Sequence, residues 1–218
     1  MSSQFAPREL ASIILAWAVL TIGVSYRYVI GLAGGATGDL EFVVAAGVAT
    51  ATGFILHEMG HKFVAIRHGY VAHFQIWIWG IALTLVTAVI SGGAFLFGAP
   101  GAVYIAPAAV MGAFGYGYYA SNRRPTDPIR ENMLISAAGP VVNLAFALFF
   151  LIVYELSTTY NFVAIVATFG FELNVGLGSF NMLPIPPLDG SKIFKNSVPV
   201  ALAIALPLWG MFLYFFLL

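Results

Sequence analysis

The chain contains no cysteine and very little charge. Of its 218 residues, 8% are Asp, Glu, Lys or Arg, against about 25% in an ordinary soluble domain. Without cysteine there is no disulfide, no thiolate metal site and no thiol nucleophile, and the redox compartment cannot be read. So few charges cannot cover a water-soluble globule, so that class is excluded together with disorder and coiled coil. Nine basic residues balance nine acidic ones, which leaves no basic surface for a nucleic-acid partner. What is present is apolar: 61% of residues are hydrophobic and the mean hydropathy is +0.93. The chain reads as a multi-pass integral membrane protein whose partner is the lipid bilayer, with residues 1–218 expected to form one domain.

A spanning helix needs about 20 mostly apolar residues. Leu10–Tyr26 carries no charge and extends past Arg27 through Leu32. It exceeds the ~7–15 residues of a signal-peptide core and is read as a retained span. Phe42–Leu56 continues as a helical pattern to Ile66; Asn132–Tyr154 and Asn196–Leu218 are further runs, and Leu156–Leu188 is interrupted only by Glu172. Gly69–Asn122 lacks any Asp, Glu, Lys or Arg. The expected fold is an all-α polytopic membrane protein of six transmembrane helices. A seventh is allowed for near Gly101–Ala120, along with a short membrane-embedded β or re-entrant element.

The cations orient these spans. Arg8, Lys62, Arg67, Arg123, Arg124, Arg130, Lys192 and Lys195 fall on one side if Gly69–Asn122 goes out and returns, leaving only Arg27 opposite. The basic side is expected to be cytoplasmic, with the functional site near it. Within the returning stretch, Val71–Trp79 alternates His73, Gln75 and Trp77 with Phe74, Ile76 and Ile78. That period of two fits a strand; an interfacial aromatic belt fits equally.

His57, Glu58 and His61 lie at the inner end of the second span, after 15 uncharged residues. Burying an ionisable group at bilayer depth costs about 2.5–3.5 kcal/mol on insertion scales, so such residues are candidates for function. The string is H-E-M-G-H. On a helix, residues four apart share a face, so both imidazoles can grip one zinc ion while Glu58 projects beside it. A catalytic zinc keeps three protein ligands and one open position, so a third ligand is owed. The candidates are Asp39, Glu41, Asp127, Glu131, Glu155, Glu172, Asp189, His68 and His73. Asp189 stands out on the same membrane side, in F-N-M-L-P-I-P-P-L-D-G, where Pro184, Pro186 and Pro187 forbid a continuing helix.

The HExxH block, the N-x-L-P-x-x-P-L-D-G block at Asn181–Gly190 and the segment I-S-A-A-G-P-V-V-N-L-A at Ile135–Ala145 together resemble the site-2 proteases, zinc metalloproteases that cleave within membranes. The run A-P-G-A-V-Y-I at Ala99–Ile105 is similar to small archaeal members. The resemblance implies one Zn2+ per chain held by His57, His61 and Asp189, with Glu58 as general base. It implies that Asn181 helps hold the substrate carbonyl. Asn143, Gly139 and Pro140 would form the substrate-side wall and the helix packing around the site. The partner would be a transmembrane protein substrate. Many relatives carry a PDZ or CBS regulatory domain; this chain is expected to be the protease core without either.

Two rivals bear comparison. Membrane zinc proteases of the CAAX type take a third ligand from E-x-x-x-D, but Glu172 is followed four residues later by Gly176. A divalent-metal transporter would need polar residues along a whole path, whereas here they gather at one depth, apart from Arg27, Glu172 and Asn174.

Overall fold

A computed structural model describes residues 7–94, 96, 98–107, 127–157 and 161–217. Helix α1 (Pro7–Val24) breaks at Ser25 and is followed by the short α2 (Tyr26–Ala33). A 3-10 turn at Thr37–Asp39 leads into α3 (Leu40–Thr50). A π-helical turn, Ala51–Ile55, joins α3 to α4 (Leu56–Arg67) without interrupting the rod. Gly69, with φ near +91°, makes the left-handed turn into strand β1 (Tyr70–Ile76). Then come α5 (Ile78–Ser91) and strand β2 (Gly101–Pro107). The long helix α6 (Pro128–Leu156) is capped by Asp127, whose carboxylate accepts from the Arg130 amide at 3.1 Å. Helix α7 (Phe162–Asn181) is capped likewise by Asn161, and α8 (Asp189–Asn196) and α9 (Val198–Leu217) close the chain.

The α3–α4 rod, α6 and α7 form the centre of the molecule, with α9 covering α6–α8 through Ile204, Ala205 and Leu208 against Met182 and Ile193. Small residues let the central helices approach closely, as helix pairs in membranes require. A methyl group at Gly60 would meet the Ala138 carbonyl oxygen at 3.1 Å. The outer surface is apolar, with Ile90, Leu206 and Phe149 exposed, as suits contact with lipid.

The all-α polytopic class with a short β element after the HExxH helix is what the structure has. Among the described residues, five helices are long and apolar enough to cross a membrane: α1, the 28-residue Leu40–Arg67 rod, α6, α7 and α9. The sixth apolar segment is α5, with 14 residues. At about 1.5 Å per residue it reaches only about 21 Å of a hydrocarbon core about 30 Å thick. The segment allowed as a seventh helix begins as β2; residues 108–126, the rest of it, lie outside the described residues.

Val71–Trp79 is mostly strand, since β1 pairs antiparallel with β2 from Tyr70↔Pro107 to Ile76↔Gly101. This pairing brings residues 101–107 back beside residues 70–76. Trp77 and Trp79, just past the strand, are the exposed aromatics. Lipid cannot satisfy strand edges, and in this pair both outer edges meet carboxylates. The Phe74 amide donates to Glu9 Oε1 at 2.9 Å, and the Val103 amide donates to Glu58 Oε2 at 2.8 Å.

Lys62, one of the orienting cations, is fully buried and donates to Glu9 across 53 residues of chain. Glu9 thus ties the first turn of α1 to both the HExxH helix and β1. Losing one partner of a buried ion pair strands the other charge, at a cost of about 3–5 kcal/mol. Lys62→Met should therefore lower unfolding stability in detergent by about that amount. Adding Glu9→Gln, whose carbonyl still accepts from Phe74, should restore most of it; a single variant as stable as wild type would refute the assignment.

Candidate metal centre

Positions 57 and 61 lie one turn apart on α4, so both rings project from one face. His57 Nε2 and His61 Nε2 are 3.0 Å apart, with the rings edge-on at 85°. Asp189 joins them from the first turn of α8: its Oδ2 lies 3.4 Å from His57 Nε2 and 3.0 Å from His61 Nε2. All three side chains are largely buried. Among the described residues they are the one group of three or more metal-ligating side chains that converges.

The triangle can be tested against a metal. Four donors at about 2.0–2.2 Å in a tetrahedron stand about 3.3 Å apart. The observed edges of 3.0, 3.0 and 3.4 Å match that spacing, and two imidazoles with a carboxylate suit zinc. The second ring nitrogens are also committed. His57 Nδ1 donates to Asn143 Oδ1 at 2.6 Å, and His61 Nδ1 donates to the Ile135 carbonyl at 2.6 Å. Each bond fixes the tautomer that leaves Nε2 as a lone pair facing Asp189.

Local sequence explains each approach. Ile135 lies one residue before Ser136, whose carbonyl loses its helical partner because Pro140 has no amide hydrogen. A methyl group at Gly139 would stand 2.6 Å from His57 Nε2 and closer still to His61 Nε2, so only glycine lets α6 pass beneath the rings. At the other wall, a side chain at Gly190 would collide with the Met182 carbonyl. Its absence lets α8 start tightly against the end of α7 and present Asp189 inward. Burial opposes charge on Asp189, but the facing imidazoles, His61 first, more than offset it when they are protonated at Nε2 and hold the carboxyl below the usual carboxylate range. Lys192 approaches the other oxygen, Oδ1, at 3.6 Å.

Four of the other candidates have partners elsewhere. Glu131 is buried and accepts from the Tyr70 hydroxyl at 3.1 Å, Asp127 caps α6, His68 Nδ1 bonds the Val64 carbonyl, and His73 faces Glu9. Asn143, expected on the substrate side, is fully buried behind His57, with its amide donating to the Gly53 carbonyl and Asn174 Oδ1. Pro140 is buried as well, and Asn181 donates to its own helix, at Leu177 O, at 3.1 Å. Sequence reasoning missed Ile135, Asn174 and the Val103 amide. Asn174 was visible as a polar residue in an apolar run, but the two backbone groups leave no mark in side-chain identity.

Comparisons with known proteins agree with this geometry. A model of peptidase family M50 matches residues 45–167, over half of the chain. The chain is 35% identical over 175 residues to a Methanocaldococcus jannaschii protein named as a candidate zinc metalloprotease, covering 80% of this chain and 81% of that one. It is 40% identical over 81 residues to a Bacillus subtilis protein with a similar name, covering 33% and 37% respectively. No solved structure matches the chain. The family match ends before Asp189, so the place of that residue beside the histidines is a structural observation.

Gly139→Ala offers a test of the geometry, because its methyl group would push into both metal-facing nitrogens. The variant should lose bound zinc, measured by mass spectrometry of the purified protein, while keeping its helical circular dichroism. Stoichiometric zinc in that variant would refute the packing argument.

Proposed function

The chain belongs to peptidase family M50, and on that premise we propose that it is an integral membrane zinc metalloendopeptidase. It hydrolyses a peptide bond within or beside a transmembrane segment of a protein substrate. The observation that carries this reading is the His57–His61–Asp189 triangle, with Glu58 on the same helix and held by the Val103 amide. His57, His61 and Asp189 would hold one zinc ion. When bound there, zinc would lower the pKa of its water to about 7 and polarise a carbonyl.

The protein groups do the rest. Glu58 is the base that takes the proton of the attacking water and then delivers it to the departing amine nitrogen. Its carboxylate is aimed by a backbone donor rather than by a flexible side chain, so it needs little reorganisation. Asn181 is the donor to the developing oxyanion, once its amide turns away from the Leu177 carbonyl. Gly139 and Pro140 shape the wall against which the reacting centre lies.

A transmembrane helix hides its carbonyls in its own hydrogen bonds, so the substrate must be extended before attack. The outer edge of β2, rather than that of β1, is the edge beside Glu58. The substrate adds there as a further strand. The site opens on the basic, cytoplasmic side of a cell membrane, from which water reaches it.

Glu58→Gln keeps the metal ligands and removes the base. It should retain zinc and lose cleavage of a model transmembrane substrate in detergent by at least 100-fold, as general-base losses run about 10²–10⁴. Cleavage at the wild-type rate would sink the mechanism. Zinc transport into vesicles by a wild-type protein without proteolysis would favour a transporter.

A further inference from the structure

Behind His57 lies a chain of side-chain hydrogen bonds with a single allowed direction. Thr52 Oγ donates to the carbonyls of Val48 and Ala49, at 3.0 and 3.1 Å. With its one hydrogen so placed, it can only accept from Asn174 Nδ2, which lies at 3.1 Å. Asn174 Nδ2 also donates to the Gly170 carbonyl at 2.8 Å. Both bonds require the nitrogen on that side, so Asn174 Oδ1 must face Asn143. Asn143 Nδ2 donates to it at 3.1 Å, and to the Gly53 carbonyl at 2.8 Å. The oxygen of Asn143 is thereby turned to His57 Nδ1, 2.6 Å away.

Thr52 and Gly53 both lie in the π turn that precedes the HExxH motif. Such a turn leaves backbone carbonyls out of the regular ladder, and here one of them takes up the Asn143 amide. Asn143 and Asn174 are both fully buried within helices α6 and α7. Neither reaches the metal-facing nitrogens, so their effect on the centre must pass through His57.

We propose that Asn174 is a positioning residue for the metal centre. Through Asn143 it holds His57 in the tautomer and ring orientation that present Nε2 to zinc. The inference rests on the zinc reading above and adds to it a three-helix relay, from α7 through α6 to α4. Removing Asn174 leaves the Gly53 carbonyl alone to hold the Asn143 amide, and an NH2 group turned to face His57 Nδ1 would favour the opposite tautomer.

The test uses the full chain in detergent, stripped of metal and titrated with Zn2+ against a chelator, and with Co2+ for its visible spectrum. Asn174→Leu should weaken zinc binding by about 10–100-fold, the range for lost outer-shell partners of metal ligands, and should alter the Co2+ bands. Asn143→Ala should do at least as much. The double variant should bind no more weakly than Asn143→Ala alone, because the two act in series. Asn174→Asp, which when protonated keeps an oxygen to accept from Asn143 and a hydrogen to donate to the Gly170 carbonyl, should bind zinc more tightly than Asn174→Leu and serves if the leucine variant fails to fold. Thr168→Val removes a hydroxyl on the same helix that donates to its own backbone at Ala164; it should leave affinity unchanged. Wild-type affinity and Co2+ spectrum in Asn174→Leu, additive losses in the double variant, or a loss in Thr168→Val equal to that in Asn174→Leu would each overturn the proposal. A wild-type protein that binds neither ion overturns the zinc reading itself, a result distinct from any difference among variants.

Discussion

Most of this chain lies where no water is available to bond its polar groups, and that constraint organises everything near the metal centre. Inside a bilayer an unmatched backbone or side-chain polar group costs several kcal/mol. Polar residues around the metal centre are therefore paired with one another. Glu9 takes Lys62 and the Phe74 amide, Glu58 takes the Val103 amide, and Asn143 takes His57, Gly53 and Asn174. These pairings join residues up to 90 positions apart. They cross-link helices that the hydrophobic effect alone cannot hold together, because lipid tails are as apolar as the helix faces.

The same constraint explains which parts of the structure could be read beforehand. Apolar length marked the five long helices, and an HExxH string inside a span marked His57, Glu58 and His61, because charge at that depth is too costly to be accidental. Asp189 was legible through the prolines that stop the helix before it. The alternation at Val71–Trp79 was legible as a strand but not distinguishable from an aromatic belt, since its partner, β2, lies in an apolar run without alternating polar residues. The pairing of Lys62 with Glu9 was not legible, since only the fold brings the two together across 53 residues. The π turn and the carbonyl of Ile135 were invisible, since both are backbone features set by packing and leave no mark in side-chain identity.

Close approach is the second condition of the site, and glycine supplies it at three places. Gly60 brings α4 onto the backbone of α6, Gly139 brings α6 under the imidazoles, and Gly190 brings α8 against the last turn of α7. Each removes a side chain at a position where a carbonyl or a ring already occupies the space. Three ligands spread over 132 residues of sequence thus come within 3.4 Å of one another. The ligands are preorganised by their neighbours, not gathered by the ion alone, which is the condition for a site that resists competing geometries.

The short strand pair belongs to this centre more than its length suggests. Glu58 shares a helix with two metal ligands, yet the donor that aims its carboxylate belongs to β2. The position of β2 depends on β1, and β1 is pinned to α1 and α4 by Glu9. A displacement of the strand pair must therefore move the partner of Glu58 without moving the histidines. Metal binding and placement of the proposed base consequently rest on separate supports: the asparagine relay and α6 for the first, the strand pair and the Glu9–Lys62 tie for the second. A substrate strand that pairs with the outer edge of β2 would compete for the Val103 amide. It would act on the base while leaving the metal ligands where they are.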